Sequence, residues 1–284
     1  MKDLANRLGN WIAHWILKEN PEPSTPRCDF RRISYELRPG DVVLVEGRSR
    51  VAEVLNLITQ RPWTHAALYL GRLSDIPDPK VRTLVEAHHQ GAQEDRLVLE
   101  ALLGEGTVVN PLDKYRRDHL RICRPTGLSP EDAQRVIGYS AQRLGVGYDL
   151  RHLLDLARFL FPWGVLPRRW RSSLFQHNAG TPTRSVCSCL LAEAFNAVDF
   201  PILPFIDRGD DGSIRFFKRN PRLFTPRDFD YSPYFEIIKY PFLGLEDLGI
   251  YRRLPWHQTD LQYNDEQVFA PDALAIDPPK PSNK

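Results

Sequence analysis

The chain has 284 residues, and its 38 Lys and Arg against 36 Asp and Glu leave a formal net charge of +2. This near-neutral balance excludes a strongly basic nucleic-acid-binding protein, and a hydrophobic content of 42% excludes an intrinsically disordered chain. The length suffices for one large domain or two small ones with a substantial core.

The cysteines indicate a reducing environment. Cys28, Cys123, Cys187 and Cys189 show neither dense pairing nor the spacing of a zinc site. We therefore expect reduced thiols in a cytoplasmic protein, with no metal and no other cofactor. The N-terminus lacks the apolar core of a secretory signal, and no apolar run has the length of a membrane span.

Residues 3–18 predict an amphipathic helix, and a linker follows up to residue 26. The apolar positions recur at helical spacing and include Trp11 and Trp15. Tryptophans beside basic residues are typical of a helix lying at a membrane interface. A helix docked on the protein's own core would show the same pattern, so both interpretations stay open.

Short strands follow, with a charged insertion among them. The predicted strands are 42–45, 63–70, 97–101, 107–109 and 120–123. Strand 63–70 is apolar or small on both faces, which predicts a buried central strand, and His65 is its only titratable side chain. A helix is predicted over 50–60, and residues 72–96 predict a surface insertion that carries a short helix.

Helices dominate the next part of the chain. Ser129 and Pro130 predict the start of a helix that ends near Leu144, and a second helix is predicted over 148–161. Residues 159–175 are rich in Phe, Trp and Arg, which fits a lid, a membrane-facing patch or a packed loop. The later predicted segments are an acidic turn at 207–211, a basic stretch at 215–222, a strand at 234–240 and a disordered tail at 260–284.

Cys187 lies in the first turn of another predicted helix, which begins after Ser185 and ends near Val198. At about 100° per residue, Cys187 lies on the apolar face of this helix and Cys189 lies roughly opposite. Free backbone N–H groups and the helix dipole would favour a thiolate at Cys187. A small core residue would show the same pattern.

Two ionisable side chains, His65 and Glu100, lie on strands that otherwise predict burial, and each therefore needs a partner. Taken singly, they fit a core histidine and a strand-edge carboxylate. A cysteine nucleophile, however, needs a base, and the base needs a third group to orient it. A pair of Cys187 thiolate and His65 imidazolium would satisfy these requirements together.

The motifs around these residues resemble the YaeF/YiiX permuted papain-like family, a circularly permuted branch of the NlpC-type cysteine amidases related to the lecithin retinol acyltransferase-like proteins. In that family the histidine strand precedes the cysteine helix, which is the order found here. The resemblance covers roughly residues 35–200. The motifs that carry it are Leu37–Val43, Trp63–Gly71, Val98–Ala101 with Gly106–Leu112, Gly147–Asp149 and Val186–Leu191.

The resemblance implies an α+β fold in which a small, mostly antiparallel sheet or barrel packs against the cysteine helix. It assigns residues 35–245 to the catalytic domain. It also implies that Cys187 is the nucleophile, that His65 is the general base and acid, and that Glu100 orients the imidazole. The supporting or substrate-binding candidates are Tyr148, Trp63 and Ser188.

The chain departs from the family pattern at several positions. Ser185 replaces the usual aromatic residue two positions before the cysteine, and Cys189 replaces a common polar residue two positions after it. The insertion at 72–96 also leaves Glu86 as a rival to Glu100 for the third catalytic position. We prefer Glu100 because a Gly-x-Val-x-x-Pro-Leu pattern follows it.

The chemistry implied by the resemblance is acyl transfer by a cysteine hydrolase or amidase, through an acyl-enzyme and without a cofactor. Trp11, Trp15 and the segment 159–170 favour a lipid acyltransferase or thioesterase as an alternative. A catalytically silent lipid-binding module is a third hypothesis. The expected partners are an acylated or amide-containing small substrate or a lipid, together with a membrane surface at residues 3–18, and no nucleic acid.

Deleting residues 1–18 tests the membrane interpretation of the N-terminal helix. If this helix binds the interface, the deletion abolishes association with liposomes, because the buried apolar area and the attraction to lipid headgroups are both lost. Co-sedimentation of the full and shortened chains measures the difference. Equal partitioning of the two chains would contradict membrane binding by this segment.

Overall fold

The computed structural model describes residues 27–47, 63–102, 105–146, 186–209 and 212–244, and a few positions beyond them. The predicted segments at 1–26, 50–60, 148–161 and 159–175 lie outside the described residues. The chain divides into two compact units, residues 1–243 and residues 244–284. His65, Glu100 and Cys187 all belong to the first unit.

A six-stranded antiparallel sheet is the frame of the first unit. The strands of this unit are β1 (Val42–Glu46), β2 (His65–Gly71), β3 (Leu97–Leu102), β4 (Gly106–Pro111), β5 (His119–Pro125), β6 (Phe205–Arg208), β7 (Ile214–Phe217) and β8 (Phe235–Ile238). The order in the sheet is β4-β3-β2-β1-β5-β8, and each neighbouring pair is antiparallel. Among the described residues β4 and β8 are the two edges, so the structure has an open sheet where the sequence allowed a sheet or a barrel.

Helices cover both faces of this sheet, which gives an α+β fold. They are α1 (Phe30–Glu36), α2 (Pro79–Ala87), α3 (Pro130–Ala141), α4 (Val186–Asn196) and α5 (Pro226–Tyr231), with short 3₁₀ helices at Leu73–Asp75, Leu112–Tyr115 and Pro221–Leu223. The predicted start of α3 is confirmed, since the Asp132 N–H donates to the Ser129 hydroxyl at 3.1 Å. Within the part of the chain that the structure describes, no helix is long and apolar enough to cross a bilayer.

The alternation of side chains along the strands produces two separate cores. Leu44 and Leu68 point to one face, where they pack with residues of α3 and α4. Val43 and Tyr69 point to the other face, where α1 and the 3₁₀ helix Leu112–Tyr115 cover them. The buried pattern of β2 confirms the predicted central strand, although β2 begins at His65 and not at Trp63.

Helix α4 buries a stripe at positions i, i+3, i+4, i+7 and i+8, as expected for a helix that packs on a sheet. The stripe consists of Cys187, Leu190, Leu191, Ala194 and Phe195. Phe195 is fully buried, and its ring meets the rings of Phe200 and Phe235 at 5.4 Å and 5.5 Å between centroids. Burying one such side chain stabilises the fold by roughly 1.5–3 kcal/mol, so α4 is firmly fixed on the sheet.

The insertion at 72–96 differs from its prediction as a surface excursion. It carries the expected short helix, α2, but Leu73, Ile76 and Val85 are buried in the core that contains α4. The apolar residues are spread among charged ones, and for this reason composition alone suggested a solvated segment. The insertion is therefore a structural part of this face of the sheet.

Two further segments contain strands that the sequence did not predict. Strands β6 and β7 form a hairpin across the segments predicted as an acidic turn and a basic stretch. In the second unit, β9 (Leu261–Gln262) pairs with β10 (Val268–Phe269), within the segment that the sequence predicts as a disordered tail. In both cases Phe, Ile or Val, which favour strands, stand among charged residues that obscured the pattern.

Candidate active site

His65 lies at the boundary between the two faces of the sheet. It is the first residue of β2, and it pairs with Val45 of β1. Its position places its side chain on the same face as Ala67 and Tyr69, at the end of the strand. From there the imidazole contacts Glu100 on its own face and Cys187 of α4, which packs on the opposite face.

Glu100 lies on β3 beside His65. Leu68 pairs with Leu99, so the antiparallel register sets Glu100 opposite Ala67 and diagonal to His65. The imidazole Nε2–H donates to the Glu100 Oε2 atom at 2.5 Å. The carboxylate is fully buried, whereas the His65 side chain is 17% exposed. Solvent therefore reaches part of the imidazole but does not reach the carboxylate.

Three further donors surround the Glu100 carboxylate. The Asn110 amide donates to Oε1 at 2.7 Å, and the Lys114 ammonium contacts the same oxygen at 3.2 Å. The Tyr115 hydroxyl donates to Oε2, the oxygen that also accepts from His65. Both carboxylate oxygens are therefore satisfied, which is what a buried charge requires.

These contacts shift both pKa values strongly. Burial alone would lower the pKa of His65, but the charge and hydrogen bond of Cys187, with those of Glu100, raise it from 6.5 to about 10. Burial would raise the pKa of Glu100, but the hydrogen bond and charge of His65, with Lys114 and Tyr115, lower it from 4.5 to about 2. At neutral pH the imidazole is thus positively charged and the carboxylate negatively charged.

The same pKa shifts contribute to stability over defined pH ranges. Protonated His65 stabilises the fold below pH 6.5, and this contribution is lost as the pH rises through about 10. Ionised Glu100 stabilises the fold above pH 4.5, and its contribution is lost as the pH falls through about 2. The pair is therefore intact across the whole physiological range.

Cys187 lies at the start of α4 and is 4% exposed. It forms a hydrogen bond with the His65 imidazole, and because Nε2 binds Glu100, Nδ1 is the ring nitrogen left for the sulfur. Positive charge on the imidazole and the dipole at the helix start both favour a thiolate here. Cys189 is more exposed, and its sulfur lies 3.8 Å from Glu193 Oε1.

Residues 36–159 match the family described as permuted papain-like amidase enzyme, YaeF/YiiX, C92 family. This match confirms the resemblance to that family over residues 36–159, of the roughly 35–200 predicted from the sequence. The matched range contains His65 and Glu100 and ends before Cys187. No curated protein matches the chain. The match to the YaeF/YiiX family agrees with a hydrolase of the papain-like amidase type.

The residues that the family resemblance offered in a supporting role are Ser188, Trp63 and Tyr148, and they lie in different places. Ser188 is buried behind the nucleophile candidate, with its hydroxyl 4.0 Å from the Cys187 sulfur. Trp63 is buried two residues before His65, and the Arg121 guanidinium stacks over its ring at 4.6 Å. Tyr148 lies outside the described residues. Ser188 thus lies next to Cys187, whereas Trp63 packs against His119 and Arg121.

Of the two glutamates that the sequence offered as the partner of His65, only Glu100 contacts it. Glu86 is exposed on α2, whereas Glu100 receives the hydrogen bond from the imidazole. Sequence reasoning missed Asn110 and Tyr115, which complete the environment of Glu100. The alternation of side chains along a strand could have placed Asn110 on the same face of the sheet as Glu100. No sequence pattern predicts the 3₁₀ turn that carries Tyr115.

No group of three or more His, Cys, Asp or Glu that could hold a metal ion occurs in the part of the chain that the structure describes. The donors around Glu100 are instead an amide, an ammonium, a phenol and an imidazole. Positively charged and N–H donors bind a carboxylate in place of a cation.

Replacing Glu100 by Gln is expected to lower the pKa of His65. The negative charge that favours the imidazolium is lost, while burial, which favours the neutral ring, remains. Titration of the His65 ring by NMR measures the change. Glu86→Gln is the matched control, since Glu86 is exposed and should leave the His65 titration as it is. An unchanged His65 pKa in Glu100→Gln would contradict the assigned ion pair.

Proposed function

We propose that the chain is a cysteine-dependent amidase that cleaves an amide or ester bond through an acyl-enzyme. The observation that carries this proposal is the continuous series of contacts from Cys187 through His65 to Glu100. It contains a nucleophile, a base and an orienting group in the order that covalent catalysis requires. The match of residues 36–159 to a family of papain-like amidases supports the same reaction class.

In the first half of the reaction, the Cys187 thiolate attacks the carbonyl carbon and forms the tetrahedral intermediate. The positive end of the helix dipole at the start of α4 would stabilise the negative charge of the oxyanion. Protonated His65 then donates its Nδ1 proton to the leaving amine or alkoxide. The C–N or C–O bond breaks, and the acyl group remains on the Cys187 sulfur.

In the second half, His65 is neutral and takes a proton from the attacking water. The hydroxide adds to the thioester, the C–S bond breaks, and the acid leaves. Glu100 holds Nε2–H throughout, and with a pKa of about 2 it keeps its negative charge and does not take the proton itself. Its part is to fix the ring and to stabilise the imidazolium. No step requires a cofactor.

Trp63 and Ser188 are proposed as supporting residues near the acyl group. Trp63 holds the chain that enters β2, since it packs against the His119 ring at 5.2 Å between centroids. Ser188 is fully buried directly after the nucleophile. Tyr148 keeps its proposed supporting role from the family resemblance, and it lies outside the described residues.

Alkylation and substitution of Cys187 test the proposed nucleophile. Iodoacetamide at neutral pH is expected to label Cys187 before Cys28 and Cys123, because burial raises the pKa of both other thiols. Cys187→Ser should reduce hydrolysis of p-nitroacetanilide by roughly 10⁴-fold or more, as in triads whose members act as a unit. Mass spectrometry locates the label, and absorbance of p-nitroaniline follows the reaction.

Cys189→Ser is the matched control, since Cys189 is a more exposed thiol on the same helix turn. This variant should keep wild-type hydrolysis and wild-type labelling of Cys187. Preferential labelling of Cys189, together with full activity in Cys187→Ser, would exclude Cys187 as the nucleophile. A wild-type chain that neither labels at Cys187 nor turns over would favour a catalytically silent binding module.

A lipid acyltransferase or thioesterase is the second candidate function, and one observation favours it. The hairpin of β6 and β7 leaves five large apolar side chains about half or more exposed, namely Phe205, Ile206, Ile214, Phe216 and Phe217. Exposed apolar groups on this scale are typical of surfaces that meet lipids or other proteins. The acyl-enzyme is common to both functions, and they differ only in the acceptor that receives the acyl group.

Acceptor dependence separates hydrolysis from transfer. If the chain is a hydrolase, p-nitrophenyl octanoate yields free octanoate at the same rate with or without an added amine or lysolipid, because water is the acceptor. A transferase would form acylated amine or lipid and release little free acid. Mass spectrometry of the products measures the ratio. Product found only on the added acceptor would contradict the amidase proposal and support transfer.

A further inference from the structure

The environment of Glu100 shows how the imidazole is held. The carboxylate is fully buried and contacts four side chains, of which His65 is one. The other three come from a single short stretch, in which Asn110 lies on β4 and Lys114 and Tyr115 lie on the following 3₁₀ helix. This stretch is fixed by its own contacts, since Leu112 is fully buried and its N–H donates to Arg96 O at 2.7 Å.

We propose that Tyr115 is a positioning residue for His65, acting through the shared oxygen Oε2 of Glu100, and that Asn110 assists it at Oε1. This inference rests on the proposed amidase function. Tyr115 is 7% exposed and donates its hydroxyl to the same carboxylate oxygen that accepts from the imidazole. Its ring also lies beside the imidazole, at 6.3 Å between centroids and 39° between planes.

The geometry of the Glu100 carboxylate explains how Tyr115 affects the orientation of the imidazole. A carboxylate can rotate about its last side-chain bond and offer either oxygen to the imidazole. Asn110 and Lys114 bind Oε1, which assigns Oε2 to the imidazole. Tyr115 occupies one lone-pair direction of Oε2 and leaves the other to Nε2–H. The ring plane is thereby set, and Nδ1 is directed toward the Cys187 sulfur.

The donors also affect where the proton resides. Each hydrogen bond to the carboxylate stabilises its ionised form and so lowers the pKa of Glu100. A carboxylate held in this way orients the imidazolium without accepting its proton. The proton then remains available for the leaving group, which is the transfer that the amidase mechanism needs.

Tyr115→Phe tests this proposal because it removes one hydroxyl and keeps the ring. We expect kcat for p-nitroacetanilide to fall by about 10- to 100-fold, as for other partners that orient a reacting side chain. KM should stay within about twofold, since Tyr115 does not bind substrate in this proposal. NMR of the His65 ring should show an altered Nε2–H resonance, which a merely structural role for Tyr115 would not produce.

Tyr240→Phe is the matched control. It removes another tyrosine hydroxyl that donates to a glutamate, Glu36 Oε2, at 3.4 Å. This variant should keep the wild-type kcat and the wild-type His65 resonances. Equal losses of kcat in Tyr115→Phe and Tyr240→Phe, with His65 unchanged, would overturn the positioning role. Wild-type kcat in Tyr115→Phe would overturn it as well.

Asn110→Leu provides a second variant if Tyr115→Phe fails to fold. It removes the amide donor at Oε1 while Lys114 remains, so kcat should fall less than in Tyr115→Phe and the His65 resonances should shift in the same direction. Unchanged resonances and kcat would overturn the proposal. Failure of the amidase function itself is distinguishable, because the wild-type chain would then show neither turnover nor selective alkylation of Cys187.

Discussion

The buried carboxylate of Glu100 is the constraint on which the rest of the site depends. An isolated charge in the interior costs several kcal/mol, and it is tolerated only where good hydrogen bonds and an opposite charge surround it. Here the imidazole, an amide, a phenol and an ammonium satisfy the two oxygens. The central strands, the β4 edge and the 3₁₀ turn that follows it must all keep their register for these groups to meet.

The sheet connects this carboxylate with Cys187, the proposed nucleophile, which belongs to the opposite face. Glu100 and Tyr115 lie on the side that α1 covers, whereas Cys187 belongs to the helix on the other side. Only a side chain at the end of a strand can contact both, and His65 is the first residue of β2. Moving the histidine two residues into the strand would bury it on one face and separate it from the sulfur.

The residues of the site that could be predicted from the sequence are those marked by their side-chain chemistry and by the periodicity of the strand or helix around them. His65 and Glu100 were identifiable because each is an ionisable residue on an apolar strand, and Cys187 because it falls on the buried face at a helix start. Residue chemistry suggested that they pair, and the family resemblance assigned a role to each of them. Tyr115 was not predicted, because its burial depends on a 3₁₀ turn after β4 and such short turns give no periodic pattern in the sequence. The insertion was misjudged for a related reason, since Ile76 and Val85 are buried by tertiary contacts among charged neighbours.

In the proposed mechanism, a carboxylate as the orienting group has two opposing effects on the imidazole. Its charge and that of Cys187 raise the pKa of His65 to about 10, which secures the ion pair but makes the imidazolium a weaker acid than one with a pKa near 7. An amide in the same place would orient the ring without this effect. The hydrogen bonds from Asn110, Lys114 and Tyr115 share the negative charge of the carboxylate with the imidazole, which weakens this effect. They therefore let a buried glutamate hold the ring firmly while leaving its proton transferable.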